Sequence, residues 1–239
     1  MKKRKLLPFV AIMVLLLSCT LAITATGSNA AMHIEHRVTN ISNVAFTVSW
    51  TTDSACKAYV EYGETPYLGR YSYDDRGQDT VSMTHHILTG YLTPETTYYY
   101  DIVCDGIRYN NGGKHYSVTT GPSILPEIPH VIWGQIFKAD GETPAEGSIV
   151  YVKVVDADAR GSAGTSQVKS RLVDSDGKWG IVLGTLRTSE LNEWFEYGKD
   201  GADSILVEFE GAVEGKASLE VPTGNTSRVL PSVSLQRDE

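Results

Sequence analysis

From about residue 44 onward, apolar side chains recur at every second position, and this period of two predicts strands. Ala45-Phe46-Thr47-Val48-Ser49-Trp50 puts Phe46, Val48 and Trp50 on one face. Lys57-Ala58-Tyr59-Val60-Glu61-Tyr62 alternates again and stops at Gly63. Thr84 to Thr89 is a shorter run, Thr97 to Val103 sets Tyr98, Tyr100 and Ile102 on one side, and His115 to Thr119 closes a first set. A second set starts with Val131 to Ile136, turns through Asp140 to Gly147 and returns along Ile149 to Val154. Leu172-Val173-Asp174-Ser175-Asp176-Gly177-Lys178-Trp179 then joins two more strands through an Asp-rich turn. One segment departs from the pattern. Thr188 to Tyr197 predicts one or two helical turns, with Ser189 as cap, Glu190 at the positive end and Gly198 as the stop. The expected fold is all-β: two tandem antiparallel β-sandwiches of Greek-key, immunoglobulin-like topology.

Proline divides the two sets. Gly121 to Pro129 carries three prolines, at positions 122, 126 and 129, and proline lacks the amide donor that a central strand needs. The division predicts a first domain over 31–121, a linker over 122–130 and a second domain over 131–239. The N-terminus reads as an export signal. Lys2, Lys3, Arg4 and Lys5 form a cationic start, and Leu6 to Leu17 is an apolar run too short to span a membrane. Three routes stay open. Ser28-Asn29-Ala30 fits cleavage before Ala31, which makes 1–30 a signal peptide whose core is a signal helix. Leu16-Leu17-Ser18-Cys19 resembles a bacterial lipobox, which makes 1–18 the signal and Cys19 the lipidated residue. An uncleaved anchor is a third route, and all three place the folded part outside the cytoplasm.

Charge then narrows the partners. The chain has 21 basic and 29 acidic residues; without the four cations of the signal, 17 face 29, a net of −12. A nucleic-acid or anionic-membrane partner demands a basic footprint, which this balance does not provide. The expected contact with a membrane is through the signal or a lipid anchor alone.

Leu92-Thr93-Pro94-Glu95-Thr96-Thr97-Tyr98 resembles the L-x-P-x-T-x-Y segment of fibronectin type III domains, and Trp50 sits where that family keeps a core tryptophan. Val48-Ser49-Trp50-Thr51-Thr52, Val60-Glu61-Tyr62-Gly63 and His85-His86-Ile87-Leu88-Thr89-Gly90 bring the likeness closer to the N-terminal fibronectin-like domain of purple acid phosphatases. The resemblance covers about 34–121. It implies a tyrosine corner at Tyr98, with Leu92 and Pro94 beside it, and Trp50 in the core. The metal-binding motifs of those enzymes belong to a separate domain and have no counterpart here. In a fibronectin-like sandwich the strand after Cys56 and the strand ending at Cys104 are antiparallel neighbours. An exported protein is therefore expected to join Cys56 to Cys104. His85 and His86 point to opposite faces of one strand and cannot chelate one metal together; one is expected at the sheet edge and one in solvent.

Residues 131–235 resemble carboxypeptidase regulatory-like and Cna B-like domains. The opening Ile132, Gly134, Ile136, the Asp140-Gly141 turn and the Asp174-Ser175-Asp176-Gly177 turn carry the likeness, with Val173 in place of a usual threonine. That last turn begins like a calcium loop, but the residues after Gly177 supply no further oxygen ligands. The structural reading is a hairpin turn capped by its aspartates.

No catalytic motif, metal site or cofactor fingerprint is present in the sequence. The expectation is a secreted or cell-surface, non-catalytic module for protein interaction, adhesion or spacing. Trp194, Phe195 and Tyr197 form the most aromatic patch of the second half and favour either an end plug or a glycan-binding platform. The alternatives are a carbohydrate-binding module and an accessory lipoprotein of an extracellular hydrolase.

Overall fold

The alternating segments become strands in a computed structural model that describes residues 34–125, 130–198, 200–224 and 228–237. The signal sequence, Cys19 and Pro126 to Pro129 lie outside the described residues. The first half contains β1 (His36–Thr39), β2 (Phe46–Gly63), β3 (Arg70–Tyr73), β4 (Val81–Thr89), β5 (Thr97–Cys104), β6 (Ile107–Tyr109) and β7 (Tyr116–Thr119). All of their pairings are antiparallel.

The two strands expected at 45–50 and 57–62 are one strand. β2 runs for 18 residues and serves two sheets in turn. Its first part lies between β1 and β4, and its second part lies between β3 and β5. The register with β4 shifts between Thr51 and Cys56, which bends the strand where Asp53, Ser54 and Ala55 are exposed. No glycine or proline interrupts 51–56, so nothing in that stretch forces the chain out of the extended state.

The first core follows the predicted faces. Phe46, Val48, Trp50, Ala58, Val60, Tyr62, Tyr98, Tyr100 and Ile102 are all buried together. The tyrosine corner forms as the resemblance implied. The Tyr98 ring is fully buried, its hydroxyl accepts from the Thr93 amide at 2.9 Å and donates to Glu64 Oε1 at 2.9 Å. Leu92 packs in the same core, and Pro94 is half-buried at the bend. Tyr98→Phe keeps the ring and strands the Thr93 amide. It should cost about 1–2 kcal/mol in urea unfolding, against a negligible loss for Tyr91→Phe at the exposed loop tip.

The second half contains β8 (Val131–Phe137), β9 (Ile149–Val155), β10 (Lys169–Leu172), β11 (Lys178–Val182), β12 (Ser204–Glu210), β13 (Lys216–Pro222) and β14 (Val233–Ser234). One sheet has the order β10-β9-β12-β13 and the other β11-β8-β14. β14 pairs with β8 in parallel; the other named strand pairs of this half are antiparallel. Between the sheets lie Ile132, Ile136, Val150, Val152, Trp179, Ile181, Val207 and Phe209, among others. Gly134 sits opposite Trp179 across the β8–β11 pair, and a Cβ there would come within 2.9 Å of the indole. The missing side chain makes room for the tryptophan. At the Asp-rich turn, Asp174 Oδ1 accepts the amides of Asp176 and Lys178, and Gly177 takes φ 74°, as the hairpin reading expected.

Residues 188–197 form no helix. Arg187 and Trp194 bridge instead as an antiparallel pair, and the Thr188 amide bonds to the Glu193 carbonyl across the loop. Ser189 therefore caps nothing, because the ends of the segment are tied to each other as a closed loop.

Candidate functional site

Two surfaces carry more polar chemistry than a sandwich requires. The first is the outer face of the β1-β2-β4 sheet. Alternation puts Arg37, Thr39, Thr47, Ser49, Thr84 and His86 on that face, and a polar face of a sheet is usually solvated. Here Thr39, Thr47, Ser49, Thr84 and His86 are all buried, because the second half of the chain packs on them.

Each polar group in that contact has an answer. Asn40 adopts a left-handed φ of 53°, a conformation that asparagine tolerates. Its side-chain amide then pairs with the edge of β10 as a strand residue would, donating to the Ser170 carbonyl and accepting the Ser170 amide, both at 3.0 Å. The Ser170 hydroxyl meets Thr39 Oγ1 and, at 2.9 Å, His86 Nε2. His86 Nδ1 in turn lies 2.7 Å from Asp75 Oδ2, which holds the ring. Ser49 shares a hydrogen bond with the buried Tyr151 hydroxyl at 3.0 Å, and Thr84 Oγ1 donates to the Gly147 carbonyl at 2.7 Å. Arg37 completes the seam. It pairs with Glu208 and Glu210 on β12 and lies with its guanidinium carbon 4.3 Å from the centre of the Tyr151 ring.

The second surface is the outer face of β3, β2 and β5. Tyr59 lies 5.9 Å from Tyr71 and 6.1 Å from Tyr73, centre to centre, and the latter two are 52% and 38% exposed. Beside them the fully buried Asp101 accepts from Arg108 Nη1 at 2.7 Å and sits 2.8 Å from His115 Nδ1. Arg108 also binds Glu61, whose other oxygen accepts the Tyr71 hydroxyl at 3.3 Å. These bonds, that to Asp101 foremost, raise Arg108 further above the ordinary guanidinium range. The result is a row of exposed rings next to fixed hydrogen-bonding groups. Sequence reasoning passed over β3, since four residues are too few to show a period.

The residues singled out from sequence scatter. Cys56 and Cys104 are joined, with Cα atoms 5.8 Å apart. Both histidines are buried, contrary to the expected edge and solvent positions. His85 stacks on Trp50 with ring centres 4.9 Å apart and touches Cys56 Sγ at 3.4 Å, while His86 lies under the second half. They do point to opposite faces, and each face is covered. Phe195 is a core residue at 4% exposure, which removes it from any binding platform. Trp194 is half-buried and donates through Nε1 to the Leu125 carbonyl at 2.7 Å. The Tyr197 hydroxyl sits 2.6 Å from His130 Nδ1. The patch therefore ties the second half to the proline-rich segment, and does not form one open face.

An acidic cluster that sequence reasoning did not single out is assembled from Asp156, Asp158 and Asp203. Its carboxylates cap backbone: Asp156 Oδ1 accepts the Asp158 and Ala159 amides, and Asp203 accepts those of Ala157 and Gly198. Its chemistry is that of loop closure. Among the described residues no helix is long and apolar enough to cross a membrane.

No family model matches the sequence, and no curated protein matches it. Solved structures with some likeness include the FN1-FN3 domains of chicken CNTN1, at 10% identity over 79% of this chain and 64% of that one, TM-score 0.26. Domains D2 and D3 of the major pilin SpaD from Corynebacterium diphtheriae match at 12% identity over 86% of this chain and 98% of theirs, TM-score 0.24. BcpA, the major pilin subunit of Bacillus cereus, matches at 7% identity over 86% and 70%, TM-score 0.25. This chain spans less than two thirds of the CNTN1 fragment, and at these TM-scores the likeness carries no argument about function.

Proposed function

We propose that the chain is an exported, non-catalytic module that holds two β-sandwiches in fixed register at the cell surface, for adhesion, spacing or binding of a protein partner. The polar seam carries this reading. Its groups are hydrogen-bonded across the contact, with Thr39, Thr47, Ser49, Thr84, His86 and Ser170 buried, which fixes geometry more than it adds stability, since each such bond nets only about 0.5–1.5 kcal/mol. The disulfide agrees with an oxidising compartment. Two measurements test the proposal. Backbone ¹⁵N relaxation should give one rotational correlation time for both halves, and two in Arg37→Glu, which sets a carboxylate against Glu208 and Glu210. The native chain should show no turnover of a generic phosphate ester with Fe, Zn or Mn added. Two correlation times in the native chain, or metal-dependent turnover, would overturn it.

A second reading is favoured by the Tyr59, Tyr71 and Tyr73 row. Sugar C–H faces stack on exposed rings while their hydroxyls bond to groups such as Glu61 and Arg108. Glycan-array binding that disappears in Tyr71→Ala would select it over the first.

A further inference from the structure

Three arginines at the seam and in the first sandwich are answered by carboxylates, while the partly exposed Arg70 donates to the Gly90 and Tyr91 carbonyls. Arg37 meets Glu208 and Glu210, Arg76 meets Asp74, and Arg108 meets Glu61 and Asp101. Arg187 is different. It is 3% exposed, and its Nη1 donates to the carbonyl oxygens of Pro122 and Leu191, each at 2.8 Å. Its other face lies against Trp194, with 5.3 Å from the guanidinium carbon to the ring centre. Among the described residues no carboxylate pairs with it.

A second unanswered cation lines the same crevice. Lys169 Nζ donates to Thr185 Oγ1 at 2.6 Å and, among the described residues, pairs with no acid. Burial first, and then the neighbouring Arg187 charge, hold Lys169 down at about 8. Between the two lies Gln167, whose amide donates from the backbone to the Arg187 carbonyl. Its side-chain Oε1 is buried without a hydrogen-bond partner among the described residues. These groups and Trp194 line a crevice of about 260 Å³ that Asn40 and Asn43 close from the first half.

Burying one cation without a counter-charge is costly, and burying two beside each other adds their repulsion. An oxyanion in the crevice removes both costs together. We propose that this crevice binds a small oxyanion, held by Arg187 and Lys169. The Arg187 fork offers its remaining N–H groups and Lys169 offers its ammonium, so the anion gains charge-assisted bonds from two directions. The two cations suit either the carboxylate of an acidic sugar such as a hexuronate or a free inorganic anion. The crevice shares Asn40 with the seam, and so rests on the two halves being packed together, but it is separate from the tyrosine row.

Titration calorimetry on the purified protein in low-salt buffer tests it, with glucuronate, glucose, sulfate and phosphate as probes. Glucuronate or an inorganic oxyanion should bind and raise the melting temperature, and glucose should do neither. Tighter binding of glucuronate than of sulfate and phosphate would identify a sugar acid as the source; equal or weaker binding would identify the inorganic ion. Lys169→Met, which keeps the apolar stem, should weaken the bound anion at least about tenfold while the circular dichroism spectrum is unchanged. Arg187→Lys keeps the charge and loses the fork, and should weaken it to a lesser extent. No binding of any oxyanion, or binding indifferent to both substitutions, would overturn the proposal.

Discussion

Replacing Cys56 and Cys104 together by alanine should lower stability by roughly 4 kcal/mol, since the bridge closes a loop of sequence separation 48. The effect comes mainly from the unfolded chain, which regains the freedom that the cross-link removes. For a chain of this size the loss corresponds to a fall in melting temperature of roughly 10 °C. Both cysteines are buried in the first core, beside His85 and the sheet pair that joins Ala58 to Cys104. Differential scanning calorimetry of the double variant checks the magnitude, and peptide mapping before reduction checks the bond. A melting temperature unchanged within a degree or so, or full alkylation of both thiols in the unreduced native protein, would refute the expectation.

The second large effect is acid sensitivity centred on His85. Its ring has no exposed surface, its Nδ1 finds no hydrogen-bond partner among the described residues, and Asp74 Oδ2 stands 3.8 Å away. Burial is the dominant influence and holds its pKa at about 4, against the pull of Asp74 in the other direction. A histidine with a depressed folded pKa contributes its stability in full above the unfolded value near 6.5. That contribution fades as pH falls from there to about 4, because the unfolded chain takes up the proton first. By pH 4.5 the loss amounts to roughly 2–3 kcal/mol, from about 1.4 kcal/mol per pKa unit. Urea unfolding at a series of pH values should show this limb in the native protein, and His85→Phe, which keeps a ring stacked on Trp50, should flatten it. An equal acid limb in the variant would place the sensitivity elsewhere. Asp74 is the nearest competitor. Burial raises its pKa, but the hydrogen bonds from Arg76 outweigh that and leave it lowered, so its own contribution is lost at lower pH than that of His85.

Most of the fold was legible, and the parts that were not share a cause. A period of two marks a strand and says which side chains share a face; it does not say what covers that face. Of His85 and His86 one was expected at a sheet edge and one in solvent, and Thr39 and Ser49 lie on the face that polar residues usually turn to water, yet all four are buried. The seam is therefore invisible in sequence: its chemistry depends on Ser170, Tyr151 and Glu208 arriving from far along the chain. β12 was legible and passed over, since Ser204-Ile205-Leu206-Val207-Glu208-Phe209-Glu210 alternates as cleanly as β2 does. The helical reading of 188–197 failed for the opposite reason. Capping residues at the right spacing outweighed nothing once Arg187 and Trp194 had closed the loop as a bridge. The disulfide and the tyrosine corner were found because a resemblance supplied the strand neighbours. The Arg187–Lys169 crevice had no such signal, because a missing counter-charge leaves no motif.

The parallel pairing of β14 with β8 has a mechanical meaning. β8 enters this half from the proline-rich segment, and β14 leaves it near the end of the chain. Pulling the two ends apart draws these parallel neighbours in opposite directions along their common axis. The Val233–Ile136 and Ser234–Phe137 register is then loaded in shear, together with the Trp133 amide bond to Arg228 O and the Leu230 amide bond to Trp133 O. Those bonds share the tension at once, whereas an antiparallel hairpin pulled from its open end would lose them one by one. A polypeptide tethered at one end and grasped at the other thus meets force through its sturdiest loading geometry.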